Sequence, residues 1–346
     1  MRLLLHAGMP KTGSTALQSS FLAGHKKLLA AGVYYPRPVR GPIHNASLCL
    51  RLSDERYPTL VADWEGGLPQ ARASGQAVLN ELAERCKRAE FDTVILSSEL
   101  IASGYFAADE MVALQALLAP LSDDIETIVY VREPAAYYLS YFQESLKSQV
   151  ALRRPHAMHV QRPWANLRAA FGRAPVLCAY DRTKLVNGDI VDDFLARFIP
   201  GRLPAGALKS VRDNSSLSAE GILVLAQVRA ILAQGLDGRK EEFTVKMIQT
   251  IRKVETTLGL KRPRLRPDIA AAIRRASTDL LWLRDDHGIA FEDVDYAEID
   301  GHPIPPEMAD RPIEEIIEID MEKCDALANA IMSKLISGAM TSLGAN

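Results

Sequence analysis

Leu3-Leu4-Leu5-His6-Ala7-Gly8-Met9-Pro10-Lys11-Thr12-Gly13-Ser14-Thr15-Ala16-Leu17-Gln18 is the stretch that decides the fold of this chain. Its short apolar run predicts a buried strand, and Gly8, Pro10 and Gly13 punctuate a turn after it. A helical pattern follows at once, with Ala16, Leu17, Phe21 and Leu22 on one face. Strand, tight turn and helix N-terminus together make an anion site: the first helical N–H groups have no partner in the chain, and the helix dipole adds positive potential. Lys11 adds a full charge there, and Thr12, Ser14 and Thr15 add hydroxyl donors. The ligand expected is a phosphate or something close to it.

The Walker A pattern requires Gly, four residues, then Gly-Lys-Ser/Thr. Lys11 instead precedes Gly13 by two positions, so that pattern is not met. A second motif lies downstream, Val129-Tyr130-Val131-Arg132-Glu133-Pro134-Ala135-Ala136-Tyr137-Tyr138-Leu139-Ser140-Tyr141. Arg132 closes a predicted strand, beside the same crevice as Lys11, and Ser140 falls two helical turns into the next helix. A guanidinium fork binds phosphate oxygens in bidentate fashion, and a hydroxyl completes the shell.

The order Pro10-Lys11-Thr12-Gly13-Ser14-Thr15 resembles the 5′-phosphosulfate loop of sulfotransferases that use 3′-phosphoadenosine 5′-phosphosulfate (PAPS). Arg132-Glu133-Pro134, with Ser140 eight residues after the arginine, resembles their 3′-phosphate motif. The resemblance covers roughly residues 1–198. It implies that Lys11, Thr12, Gly13, Ser14 and Thr15 hold the 5′-phosphosulfate and that Arg132 and Ser140 hold the 3′-phosphate. Tyr180-Asp181 is similar to the family's Tyr-Glu-Asp turn, where the tyrosine touches adenine. Val211-Arg212-Asp213-Asn214-Ser215-Ser216-Leu217-Ser218 resembles an element of bacterial members in which Arg212 and Asn214 would close over the nucleotide. Ser218 fits that element or, equally, a helix cap.

The implied reaction is transfer of the sulfuryl group of PAPS to a hydroxyl of a carbohydrate or other hydroxylated metabolite. Such in-line transfer needs positive charge on the bridging and leaving oxygens, a role for Lys11. It also needs a base. Where the family's cytosolic branch carries a histidine, this chain reads Ser97-Ser98-Glu99-Leu100, which makes Glu99 the candidate base. His44 competes for that role, and His6 reads as a core or loop-packing residue. The Gly-rich basic loop of the hormone-sulfating branch is missing, which counts against small phenols and steroids as acceptors. No metal is expected. Two other classes stand beside this one: an inactive PAPS- or nucleotide-binding protein, and a P-loop kinase-like phosphotransferase. The misplaced lysine and the lack of an aspartate after Val131 argue against the kinase; retention of Lys11, Arg132, Ser140 and Glu99 argues for activity.

Length and composition set outer limits. The chain has 346 residues, 48 % hydrophobic and 24 % charged, ordinary for a globular protein. A net charge of −2 gives no global attraction to nucleic acid or to an anionic membrane. Cys49, Cys86, Cys178 and Cys324 form no CxxC pair and fit a reducing compartment. No stretch reaches transmembrane length, and the N-terminal apolar run is too short for a signal segment. A bacterial, cytoplasmic enzyme is expected; a homo-oligomer is compatible with the sequence.

Apolar strands at 93–98, 126–131 and 176–180 alternate with helices at 71–88, 109–118, 135–148, 164–171 and 190–198, which predicts a parallel sheet covered on both faces. The segment from Val33 to about Pro69 reads as irregular. Beyond Pro200 the pattern is helical at 217–232, 241–257, 267–285 and 314–335. The expected fold is α/β: three-layered and P-loop-like, with a central parallel sheet flanked by helices, plus a C-terminal helical layer. Residues 1–200 would form the PAPS-binding core, with 201–346 packed on it in one domain. Basic residues from Arg252 to Arg275, or Arg153 and Arg154, could steer an acidic acceptor; for the first group a solvated helical face is the preferred account.

Overall fold

The computed structural model describes residues 1–37, 48, 67–102, 106–148, 154–210, 216–233, 240–309 and 311–342. The strands are β1 (Arg2–Ala7), β2 (Val33–Tyr34), β3 (Thr93–Ser98), β4 (Asp124–Val131) and β5 (Val176–Ala179). The longer helices are α1 (Ser14–Ala23), α2 (His25–Ala30), α3 (Gly67–Lys87), α4 (Ala108–Leu118), α5 (Pro134–Ser148), α6 (Gln161–Phe171), α7 (Ile190–Phe198), α8 (Ala219–Ala233), α9 (Lys240–Leu258), α10 (Pro267–Ala276), α11 (Asp279–His287) and α12 (Met321–Ser342).

The five strands form one sheet in the order β2-β3-β1-β4-β5, and every pairing is parallel. A parallel sheet flanked by helices hides both faces, which is why its strands read as continuous apolar runs. Leu3, Leu4 and Leu5 are at most 2 % exposed, and each such leucine contributes roughly 1.5–3 kcal/mol by burial. Leu4 joins Leu17 and Phe21 of α1 and Phe194 of α7 in one cluster. By strand alternation Leu5 faces the other way, where it lines a small cavity with Leu96 and Leu114 of α4. β1 is central, with β3 on one side and β4 on the other, so the chain reverses its winding at β1. In such sheets ligands bind beyond the C-terminal ends of the strands at that reversal.

The chain divides into two compact units, and they interleave in sequence. The first holds residues 1–133, 159–213 and 279–294, with the whole sheet; the second holds 134–158, 214–278 and 295–346. This division is not a single cut near residue 200. α5 packs with α8 and α10 in a second core that includes Tyr138, Phe142, Ile222, Leu225, Ile251, Ile269 and Leu327. Asp279, which opens α11, belongs with the sheet: its Oδ2 accepts the backbone N–H of Val160 at 2.6 Å and of Gln161 at 2.9 Å, capping α6.

Three expectations from sequence need correction. The helix expected over 267–285 is two helices. Ser277 between them donates to the Ile273 carbonyl at 2.7 Å and accepts the Met158 N–H at 3.0 Å, so its hydroxyl is drawn out of a regular turn. The helix expected over 314–335 is also interrupted: a short turn at Ile313–Ile316 gives way to Ile317, which bridges antiparallel to Leu265. Third, Val33–Tyr34 forms the edge strand β2 against β3. Among the described residues no helix is long and apolar enough to cross a membrane.

Candidate functional site

β1 delivers the chain into the Gly8–Gly13 loop at the C-terminal edge of the sheet. The Gly8 N–H donates to the Ser98 carbonyl at 3.0 Å, tying the loop to the end of β3. A Cβ at Gly8 would stand 2.5 Å from Ser14 Oγ and 3.0 Å from His6 Cε1, so a side chain there would displace the Ser14 hydroxyl. Thr12, fully buried, donates from Oγ1 to the Met9 carbonyl at 2.6 Å. Ser14, 2 % exposed, directs its hydroxyl to the same carbonyl at 3.5 Å. Lys11 and Gly13 on either side of Thr12 are both left-handed, with φ of 63° and 84°. The loop therefore curls around the Met9 carbonyl.

That curl leaves the start of α1 uncapped. The first helical bond runs from Leu17 N–H to the Gly13 carbonyl at 3.1 Å, so the N–H groups of Ser14, Thr15 and Ala16 precede the ladder. Gly13 as N-cap supplies no side-chain acceptor, and the first turn contains no acid. Nothing in that turn competes with an incoming anion for the positive end of the dipole. Thr15 is exposed, while Lys11 and Gly13 are half-buried.

Arg132 follows β4 directly, and its Nη1 donates to the Lys11 carbonyl at 3.0 Å. A left-handed residue other than glycine costs about 1–2 kcal/mol, and a hydrogen bond from a charged donor returns about 1.5–3 kcal/mol. This bond is therefore strong enough to hold Lys11 where it is. The Arg132 guanidinium also lies over the Tyr180 ring, 5.6 Å from its centroid. Among the described residues it forms no ion pair with a carboxylate. Burial pulls its pKa below the usual arginine value, Tyr180 and Glu133 oppose that, and Arg182 adds to it. Arg182 is exposed and acts on Arg132 through its charge alone.

Glu99 comes next to the loop through the Gly8–Ser98 bond and is half-buried. His6 lies beneath the loop, completely buried. Its Nδ1 is 2.8 Å from Ser97 Oγ, which also accepts from Gln18 Nε2 at 3.1 Å, and the His6 Nε2 has no partner among the described residues. Burial drives its pKa down to about 4, so the ring is neutral. His6 is a packing residue, as the sequence suggested, and it links β1, β3 and α1.

Lys11, Thr12, Gly13, Ser14, Thr15, Glu99, Arg132 and Tyr180 thus share the first unit and one sheet edge. Ser140 lies in the second unit on α5, beside Tyr137 and Tyr141, whose rings stack at 5.9 Å. His156 meets both rings edge-on and is directed by the Arg154 carbonyl at 3.1 Å from Nδ1. No spacing pattern links it to α5 in the sequence. His44, Arg212, Asn214 and Arg153 lie outside the described residues. Ser218 caps α8: its Oγ accepts the Gly221 N–H at 2.9 Å and donates to Glu255 at 2.8 Å. The basic residues from Arg252 to Arg275 are mostly exposed, and Arg154 is exposed.

A cavity of about 450 Å³ opens at the opposite edge of the sheet, lined by Arg2, Asp92, Thr93, Phe198 and Arg202 among others. Its arginines are committed to protein partners: Arg2 to Glu126 and the Phe198 carbonyl, Arg202 to Asp92. Among the described residues no group of three or more His, Cys, Asp or Glu side chains is arranged to hold a metal ion. Comparison of the chain with protein-family models, with curated proteins and with solved structures finds no match.

Proposed function

We propose that this protein is a sulfotransferase that moves the sulfuryl group of PAPS to a hydroxyl of a carbohydrate or other hydroxylated metabolite. The observation that carries the reading is the convergence, at one sheet edge, of an uncapped helix N-terminus, Lys11 and the half-buried Arg132 with no carboxylate partner among the described residues. A half-buried guanidinium beside a helix N-terminus favours an anionic ligand. A nucleotide carrying two separated anionic groups suits two separate cationic elements, one at the α1 N-terminus and one at Arg132.

In this reading the 5′-phosphosulfate lies at the α1 N-terminus, held by backbone N–H groups, Lys11 and Thr15. Thr12 and Ser14 shape the loop through the Met9 carbonyl. Arg132 takes the 3′-phosphate, and the resemblance gives Ser140 the same ligand. As the sulfur–oxygen bond breaks, negative charge grows on the leaving phosphate, and Lys11 stabilises it. Glu99 removes the acceptor proton. The resemblance extends this reading to a three-layer P-loop-like architecture and a cytoplasmic location; the sheet order and the loop after β1 are compatible with the first. The test is incubation of the protein with PAPS labelled in its sulfur and with fractionated cell glycans and metabolites. Label in an acceptor fraction supports the reading, and label remaining wholly on PAPS or free sulfate counts against it.

A further inference from the structure

We infer that Arg132 is a positioning residue for Lys11, a role additional to the anion contact assigned to it above; the inference rests on that functional reading. Lys11 is left-handed, an arrangement a lysine adopts only when its surroundings impose it. One group placed to impose it is Arg132, whose Nη1 docks on the Lys11 carbonyl at 3.0 Å. The guanidinium itself lies over the Tyr180 ring, 5.6 Å from its centroid, and the ring edge packs on Gly13, the second left-handed residue of the loop. Lys11, Arg132, Tyr180 and Gly13 form one closed circuit around Thr12.

An arginine has five N–H donors in a planar fork, and the Lys11 carbonyl takes one. Among the described residues no other acceptor takes the rest, so one guanidinium can serve the Lys11 carbonyl and a phosphate on its different edges. An anion that fixes the guanidinium plane also fixes the Lys11 peptide, and with it the direction in which the ammonium leaves the backbone. Coupling of this kind is reciprocal: whatever orders Lys11 raises the affinity of the distal subsite equally.

The discriminating ligand is AMP, which has a 5′-phosphate and nothing at the 3′ position. Calorimetry on the full chain compares AMP and adenosine 3′,5′-bisphosphate in wild type, Arg132→Met, Lys11→Ala, the double variant and Arg182→Met, with thermal melts to verify folding. Loss of the positioning bond weakens AMP about fivefold in Arg132→Met, the scale of one hydrogen bond. Lys11→Ala then adds no more than about twofold on top of Arg132→Met, because the two act as one unit. Arg182→Met removes a nearby charge without touching the Lys11 carbonyl and leaves AMP within about twofold. Unchanged AMP affinity in Arg132→Met overturns the positioning role, as does an equal loss in Arg182→Met, which would mean a general field. Wild type binding neither nucleotide would instead overturn the functional reading and this inference with it. If Arg132→Met does not fold, Arg132→Gln carries the same comparison.

Discussion

Gly13 and Tyr180 approach closely at the loop after β1: a Cβ on Gly13 would lie 2.9 Å from Tyr180 Cε2 and 3.1 Å from Ile190 Cδ1. The residue after β5 thereby sets the N-cap of α1, joining two elements far apart in sequence at the point where the helix presents its free N–H groups.

Gly13→Ala tests that contact. The new methyl meets both Tyr180 and Ile190, and the residue stays at φ of 84°, so the variant carries steric and left-handed strain together. A loss of roughly 1–3 kcal/mol in unfolding free energy is expected, with nucleotide binding reduced beyond that of a distant surface variant. Denaturant titration and calorimetry measure the two; wild-type values in both would show that the loop does not need this glycine.

Lys11→Ala should lose transfer far more than nucleotide binding. In the proposed reaction its ammonium acts on charge that develops in the transition state, and removing one such preorganised donor typically costs about 10²–10³ in rate. Steady-state kinetics with PAPS read this directly, and near-normal turnover would remove Lys11 from the chemistry.

Glu99→Gln keeps size and polarity and removes the proton acceptor. Turnover should fall by about 10²–10⁴ while affinity for adenosine 3′,5′-bisphosphate and the melting temperature hold. Normal transfer in Glu99→Gln, with His44→Ala inactive, would move the role to His44.

His6 predicts an acid-side loss of stability. Its folded pKa, about 4, is below the ordinary 6.5 because burial disfavours the charged ring. Below pH 6.5 the unfolded chain binds a proton there that the folded chain refuses, so stability is full above that pH and declines as pH falls toward about 4. The slope is about 1.4 kcal/mol per pH unit, roughly 3 kcal/mol over the window. Unfolding free energy measured from pH 7 to pH 4 should decline less steeply in His6→Gln; parallel curves would assign the acid sensitivity elsewhere.

Much of the sheet was legible because β1, β3 and β4 carry runs of buried residues that suit a doubly covered strand, while β5 reads as an apolar run although only Cys178 in it is buried. β2 was not, since Val33–Tyr34 is too short to show a period and takes its strand character from β3 alone. The break at Ser277 was hidden for a similar reason: the N–H that draws on its hydroxyl belongs to Met158, 119 residues earlier. Within the site, the loop announced itself through glycine, lysine and hydroxyl residues in a fixed order. The Arg132 contact did not, because its acceptor is a backbone carbonyl and every residue has one. The His6–Ser97–Gln18 network was invisible too, since it joins residues 91 and 79 positions apart. Motifs named the groups now proposed to meet a ligand, whereas the contacts around them required the fold.

The account stands most directly on one calorimetric comparison in the wild-type protein, adenosine 3′,5′-bisphosphate against AMP. A charge-assisted bond from Arg132 to the extra phosphate is worth about 1.5–3 kcal/mol, so the bisphosphate should bind at least about tenfold tighter. Equal affinity for the two nucleotides would contradict the assignment of PAPS as the donor.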